Sequence, residues 1–255
     1  PTNMLKYLLT LLCLLIASPA WAAPVVWDAS ATPVKGATAS SCSGTHTATG
    51  ANRLGVARVF YSGSAPTFTA TYDSVAMTLR LQADNSLAGA NEYAALLYLP
   101  APGTGAAVTW TIDFSATAAR YICFFDTYTN AHQSDFTGGT NAAGDLTSSP
   151  ITFDVTSATD ELVLDIAGYG DGDGQTTGVT ALAAGAGQTS RGNEIVATDF
   201  GNAIVTDEAG AATVTMSETF GGEQGAQYWV HVAAAFKPAA AAAPSRRPSA
   251  PMILP

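Results

Sequence analysis

Between Val108 and Ser115 the chain alternates without a break: Val108, Trp110, Ile112 and Phe114 are apolar, while Thr109, Thr111, Asp113 and Ser115 are polar. Successive side chains of a strand point to opposite faces, so the pattern demands a strand with one wet face and one dry. Helical three-and-four spacing is hard to find anywhere after Ala22. Similar short runs span residues 53–61, 67–72, 76–81, 93–99, 120–127, 151–155, 162–167, 212–220 and 227–237, separated by Gly, Pro, Asn, Asp and Ser clusters. This punctuation predicts an all-β fold: a two-sheet antiparallel β-sandwich of roughly ten to twelve strands.

The ends read differently. After Met4 come Lys6, an apolar run from Leu8 to Ile16, and Ala20-Trp21-Ala22. That order predicts a secretory signal peptide cut after Ala22, because the run is shorter than the about 20 residues a bilayer span needs. Residues 23–238 are expected to form one sandwich domain, since no repeat or central linker divides them. Residues 239–255 are rich in Ala and Pro without periodicity, and are expected to be a linker or disordered tail.

Only 12% of the residues are charged, and acids outnumber bases 20 to 10. A net charge of −10 disfavours nucleic acid, whose recognition relies on clustered Lys and Arg. No membrane span is expected in the mature chain. Cys42 and Cys123 remain after signal removal; in an oxidising compartment they make one bridge, and otherwise they are two buried thiols. Neither has a partner at zinc spacing.

Several stretches together resemble a secreted jelly-roll or lectin-like (concanavalin-like) β-sandwich module found in bacterial surface and extracellular proteins and in some phage structural proteins. They include Asn52-Arg53-Leu54, Glu92-Tyr93, Leu97-Tyr98-Leu99-Pro100, Asp160 to Asp165, Ala184 to Arg191, Val214 to Ser217, Trp229 and Phe236-Lys237-Pro238. The resemblance runs from about Thr38 to Pro238 in the expected order. It implies an extracellular accessory, adhesive or structural role and brings no catalytic residues with it. The segment from Asp126 to Ser149 and the acidic run at 170–174 are less typical of such modules.

Candidate sites are sparse. The run Gly170-Asp171-Gly172-Asp173-Gly174 turns carboxylates toward a hard cation, so Asp171 and Asp173 are candidate calcium ligands, with a solvated turn as the alternative. Trp229 and His231 share a strand face, a candidate platform for sugar rings, although such a Trp also fills cores. His132 and Asp135, in the long 130–149 loop, are further candidate ligand contacts. No Gly-x-Ser-x-Gly elbow or HExxH occurs. Glu161 and Asp165 are read as one strand face, roughly 13 Å apart, too far for the about 5 Å of a retaining glycosidase pair.

The leading expectation is therefore a non-enzymatic extracellular binding or adhesion module, with glycan as a candidate partner and no required cofactor. One alternative is a structural subunit of an extracellular assembly. The other is a carbohydrate-active enzyme using Asp113, Asp126, Asp135 and Glu194, if the fold gathers them.

Overall fold

A computed structural model describes residues 22–85, 91–145, 149–171, 182–196, 201–220 and 227–241. The expected signal peptide up to Trp21, the expected calcium-binding run beyond Asp171 and the expected tail beyond 241 lie outside the described residues. Seventeen strands and no helix occur among those described. They begin with β1 (Val26–Ser30), β2 (Val34–Gly36), β3 (Ala39–His46), β4 (Leu54–Gly63), β5 (Phe68–Tyr72) and β6 (Val75–Ala76). Next come β7 (Thr78–Asn85), β8 (Glu92–Pro100), β9 (Val108–Thr129), β10 (Gly139–Asp145), β11 (Ile151–Thr156) and β12 (Leu162–Asp171). The last five are β13 (Ala183–Ala184), β14 (Thr189–Val196), β15 (Gly201–Ala209), β16 (Thr213–Thr219) and β17 (Gln227–Phe236).

The expected all-β, antiparallel, layered architecture is present, with three hydrogen-bonded sheets in place of two and more strands than the sequence spacing suggests. Some of the extra strands, β2, β6 and β13, are pieces of two or three residues, too short to carry an alternation of their own, while β1, β3, β10, β14 and β15 are longer strands in stretches rich in Gly, Ser, Thr, Ala and Asn.

The largest sheet is organised by β9, 22 residues long. One edge of β9 takes β3, β2 and β1 in succession, and the other takes β5 and then β4, with β8 and β7 beyond β4. The alternation changes phase midway: Trp110, Ile112, Phe114 and Ala118 face the same interior as Tyr121, Cys123 and Phe125. Both neighbouring strands shift register opposite this point, between Ala39 and Ser41 and between Ser62 and Gly63. Bulges bend a sheet and reset which side chains face inward. The nine-stranded sheet therefore rolls nearly closed around its own apolar filling, in which Trp110, Phe125 and Tyr72 stack with ring centroids 5.8 and 5.0 Å apart. Cys42 on β3 and Cys123 on β9 join inside that roll as a disulfide.

The outer face of β4, β8 and β9 packs on a five-stranded sheet in the order β10-β17-β12-β15-β14. Phe60, Ile122, Phe124 and Leu96 meet Leu164, Ile166, Val205, Val230 and Val232 there. A third sheet, β11-β16-β13, covers the opposite face of the five-stranded one through Val155, Val214 and Met216 on one side of centre and Ile151, Leu182 and Phe220 on the other. The central strands β12 and β17 are thus enclosed on both faces. This explains why Leu162 to Ala167 and Val230 to Phe236 are nearly unbroken apolar runs, as strands buried on both sides require.

Candidate functional site

Two residues interrupt those runs. Asp165 on β12 and His231 on β17 lie on the face turned toward the three-stranded sheet, diagonal neighbours two residues apart in register (Asp165 opposite Ala233, Ala167 opposite His231). Both side chains are fully buried, and a buried ionisable pair must find its partners within the protein. His231 Nε2 is 2.8 Å from Asp165 Oδ2 and 3.1 Å from Glu218 Oε2, the latter supplied by β16 of the covering sheet. The His231 ring stands edge-on to Phe153, with centroids 4.1 Å apart.

The second Asp165 oxygen is engaged by β15: Thr206 N–H and Thr206 Oγ1 donate to Oδ1 at 2.8 and 2.7 Å. Gln188 enters from the turn before β14. Its Nε2 donates to Thr206 Oγ1 at 2.8 Å and to Glu218 Oε1 at 2.7 Å. Its Oε1 accepts the backbone N–H groups of Gly185 and Ser217, both at 3.0 Å. Gly185 has no room for a side chain, because a Cβ would sit 2.5 Å from Gln188 Oε1 and 2.6 Å from the Ser217 carbonyl.

Behind the cluster, Arg58 reaches across from β4 and donates through Nη1 to the carbonyls of Asp165 and Thr206 at 2.9 and 3.1 Å, while its Nη2 is paired with Asp126. Burial opposes the guanidinium charge, but Tyr128 and Asp126 outweigh it and the group stays firmly protonated.

The protons are divided unequally. Burial alone would raise the Asp165 carboxyl, yet hydrogen bonds from His231, Glu218 and Thr206 reverse this and hold it below the usual range. Glu218, beside the charge on Asp165 and itself desolvated, is pushed well above the usual range and keeps its proton, which it shares with Asp165. Burial holds His231 below its ordinary value, only partly offset by Asp165, so the ring is neutral. The cluster therefore carries one negative charge, on Asp165. Its three ligand atoms lie within 4.8 Å of one another, the spread a small cation needs. The 2.8 Å contact between His231 Nε2 and Asp165 Oδ2 is nonetheless a hydrogen bond, with a proton already between the two atoms.

The expected site residues are placed elsewhere or otherwise. His231 is sealed, and Trp229 is partly buried against the Tyr169 and Phe220 cluster, so the two make no exposed sugar platform because the third sheet covers that face. His132 Nδ1 accepts the backbone N–H groups of Ser134 and Asp135, which orders its own loop. Asp135 is exposed and paired with Lys237 at 2.8 Å. Asp171 ends β12 opposite Gln227, and Asp173 lies outside the described residues, so the calcium loop does too.

The four acids of the enzyme alternative do not share a partner. Asp126 holds Arg58, Asp135 holds Lys237, Glu194 holds Lys35, and Asp113 is exposed on β9. Glu161 precedes β12 and faces the 157–161 turn, accepting from Ser157 Oγ, Ala158 N–H and Thr137. It is therefore no strand-face partner of Asp165. Sequence reading missed Gln188, Thr206 and Glu218, which sit in Thr- and Gly-rich stretches without a marker. The signal that was present is the pair of polar residues, Asp165 and His231, at positions whose neighbours are all core. No protein-family model matches the chain, and no curated protein or solved structure matches it either.

Proposed function

We propose that this protein is an extracellular, non-enzymatic β-sandwich module for surface attachment or assembly, in keeping with its resemblance to lectin-like and phage structural modules. The observation that carries this reading is the sealing of its most reactive cluster. Asp165, Thr206, Glu218 and His231 are each 0% exposed, so a diffusing polymer has no path to them. Catalytic groups that serve an external substrate line an open cleft instead. The disulfide between Cys42 and Cys123 supports an oxidising, extracytoplasmic location.

The test is a panel of surface polysaccharides incubated with the pure protein, with calcium and again with EDTA, read for both retention and product release. Retention without release is the expected result, and calcium-dependent retention would assign the 171–173 loop. Reproducible release of reducing sugar or unsaturated product would overturn the reading.

A further inference from the structure

We propose that Thr206 and Gln188 react with each other to form an intramolecular ester, a covalent cross-link between β15 and the turn that opens β14. The inference goes beyond the module reading and stands or falls independently of it. Every group that acyl transfer needs converges on this pair. Thr206 Oγ1 is the nucleophile, and its proton is aimed at Asp165 Oδ1 at 2.7 Å. The Gln188 carboxamide is the electrophile, held against that hydroxyl by its Nε2–H, which donates to Oγ1 at 2.8 Å. Two backbone N–H groups, from Gly185 and Ser217, converge on the amide oxygen at 3.0 Å each, the arrangement that stabilises a tetrahedral oxyanion. The leaving nitrogen donates to Glu218 Oε1 at 2.7 Å, and the Glu218 carboxyl keeps its proton on the side it shares with Asp165.

The step balances without any co-reactant. Asp165 takes the Thr206 proton as Oγ1 bonds to Gln188 Cδ, and negative charge gathers on Oε1 between the two N–H groups. Collapse of that intermediate breaks the Cδ–Nε2 bond. As the nitrogen becomes tetrahedral its lone pair takes the place of the N–H that Glu218 Oε1 accepted, Glu218 delivers its proton there, ammonia departs, and the proton on Asp165 replaces the one Glu218 gave up. Hydroxyl and carboxamide become ester and ammonia, and the carboxyl pair returns to its starting state.

Amides are poor acyl donors, but this reaction is needed only once per molecule. Two groups held in contact gain effective concentrations of about 10⁵ M or more over separate reactants. Burial then protects the product from hydrolysis, since Thr206 is fully buried. Gln188 lies half-exposed in its turn, which gives ammonia a way out. His231 and Arg58 are positioning residues: the first keeps Asp165 ionised and oriented, and the second holds the backbone carbonyls of Asp165 and Thr206.

The experiment is mass spectrometry of the full chain with its disulfide reduced, followed by tryptic digestion. Cleavage after Arg191 separates Gln188 from Thr206 unless the ester joins them. The expected result is a chain lighter by one ammonia whose two peptides stay linked until hydroxylamine releases them. Thr206→Val and Gln188→Ala should restore full mass, and Thr206→Ser should keep the link. Glu218→Gln should accumulate it about 10²-fold more slowly, the usual effect of losing a general acid. Full mass with separated peptides in the wild type would overturn the proposal and leave the cluster as a hydrogen-bonded clasp. So would ammonia loss that persists in Thr206→Val.

Discussion

His231 is surrounded on β17 by valine, alanine and phenylalanine, and it makes the stability of the protein depend on pH together with its two acid partners. Below the ordinary histidine value of 6.5 the unfolded chain takes up a proton that folded His231 refuses, so stability falls with acid until the folded group titrates. Asp165, held below 3.8, extends that loss at still lower pH. Glu218 works in the opposite sense. Above its ordinary 4.5 the unfolded glutamate releases a proton that the folded one keeps, and stability declines as pH rises, by about 1.4 kcal/mol per unit. The two effects oppose each other between 4.5 and 6.5, and Glu218 acts without His231 above that range. Glu208, raised by burial and by Asp165, adds in the same direction. Urea midpoints of wild type should therefore fall as pH rises above 6.5, and Glu218→Gln should flatten that limb while leaving the acid limb in place. Equal slopes in the two proteins would show that Glu218 is ionised when folded. Asp165 and His231 were visible in the sequence as polar breaks in apolar runs. Their roles were not, because nothing local says that Glu218, thirteen residues before His231 in the chain, closes over them from another sheet.

The strands show the same division between local pattern and distant pairing. The alternation at 108–115 and the apolar run at 120–127 are both real, yet they form one strand, β9, whose phase break reads from sequence as a boundary. Only the register shifts in β3 and β4 reveal it as a bend. A comparable fit governs β12, where Gly168 lies beneath the Phe60 ring and an added Cβ would come within 2.3 Å of it. Sheet layers pack about 10 Å apart, and glycine is what lets an aromatic ring lie flat against the neighbouring backbone. Gly168→Ala should destabilise by about 3 kcal/mol, at the upper end of overpacking costs, because the ring is held on every side by the core between the two larger sheets. Gly103→Ala, whose nearest neighbour is an Asp73 oxygen at 3.7 Å, should change stability little. Chemical denaturation of the pair separates the two outcomes, and a Gly168→Ala protein as stable as wild type would mean that the layers are free to move apart.

At the scale of the molecule, the middle sheet is shared by two interfaces, so the three layers are not independent. The rolled nine-stranded sheet rests on one face of β12 and β17, the three-stranded cover rests on the other, and Arg58 passes from the first layer to the backbone beneath the buried cluster. The weak point of this arrangement is the edge of β9 that carries β1, β2 and β3, which are short or half-exposed and contribute little to the core. The bridge between Cys42 and Cys123 lies there and closes a sequence separation of 81 residues. By loop-closure entropy its removal costs about 4 kcal/mol, a fall of roughly 8 to 16 °C in Tm for a chain of this size. The loss should be uneven. In a Cys42→Ala, Cys123→Ala protein, amide exchange should quicken first along β1 to β3, while β12, β15 and β17, enclosed by two other layers, keep their protection until global unfolding. Exchange that accelerates equally in the middle sheet would mean that the roll and the two layers beneath it unfold as one unit, with the bridge stabilising all three sheets at once.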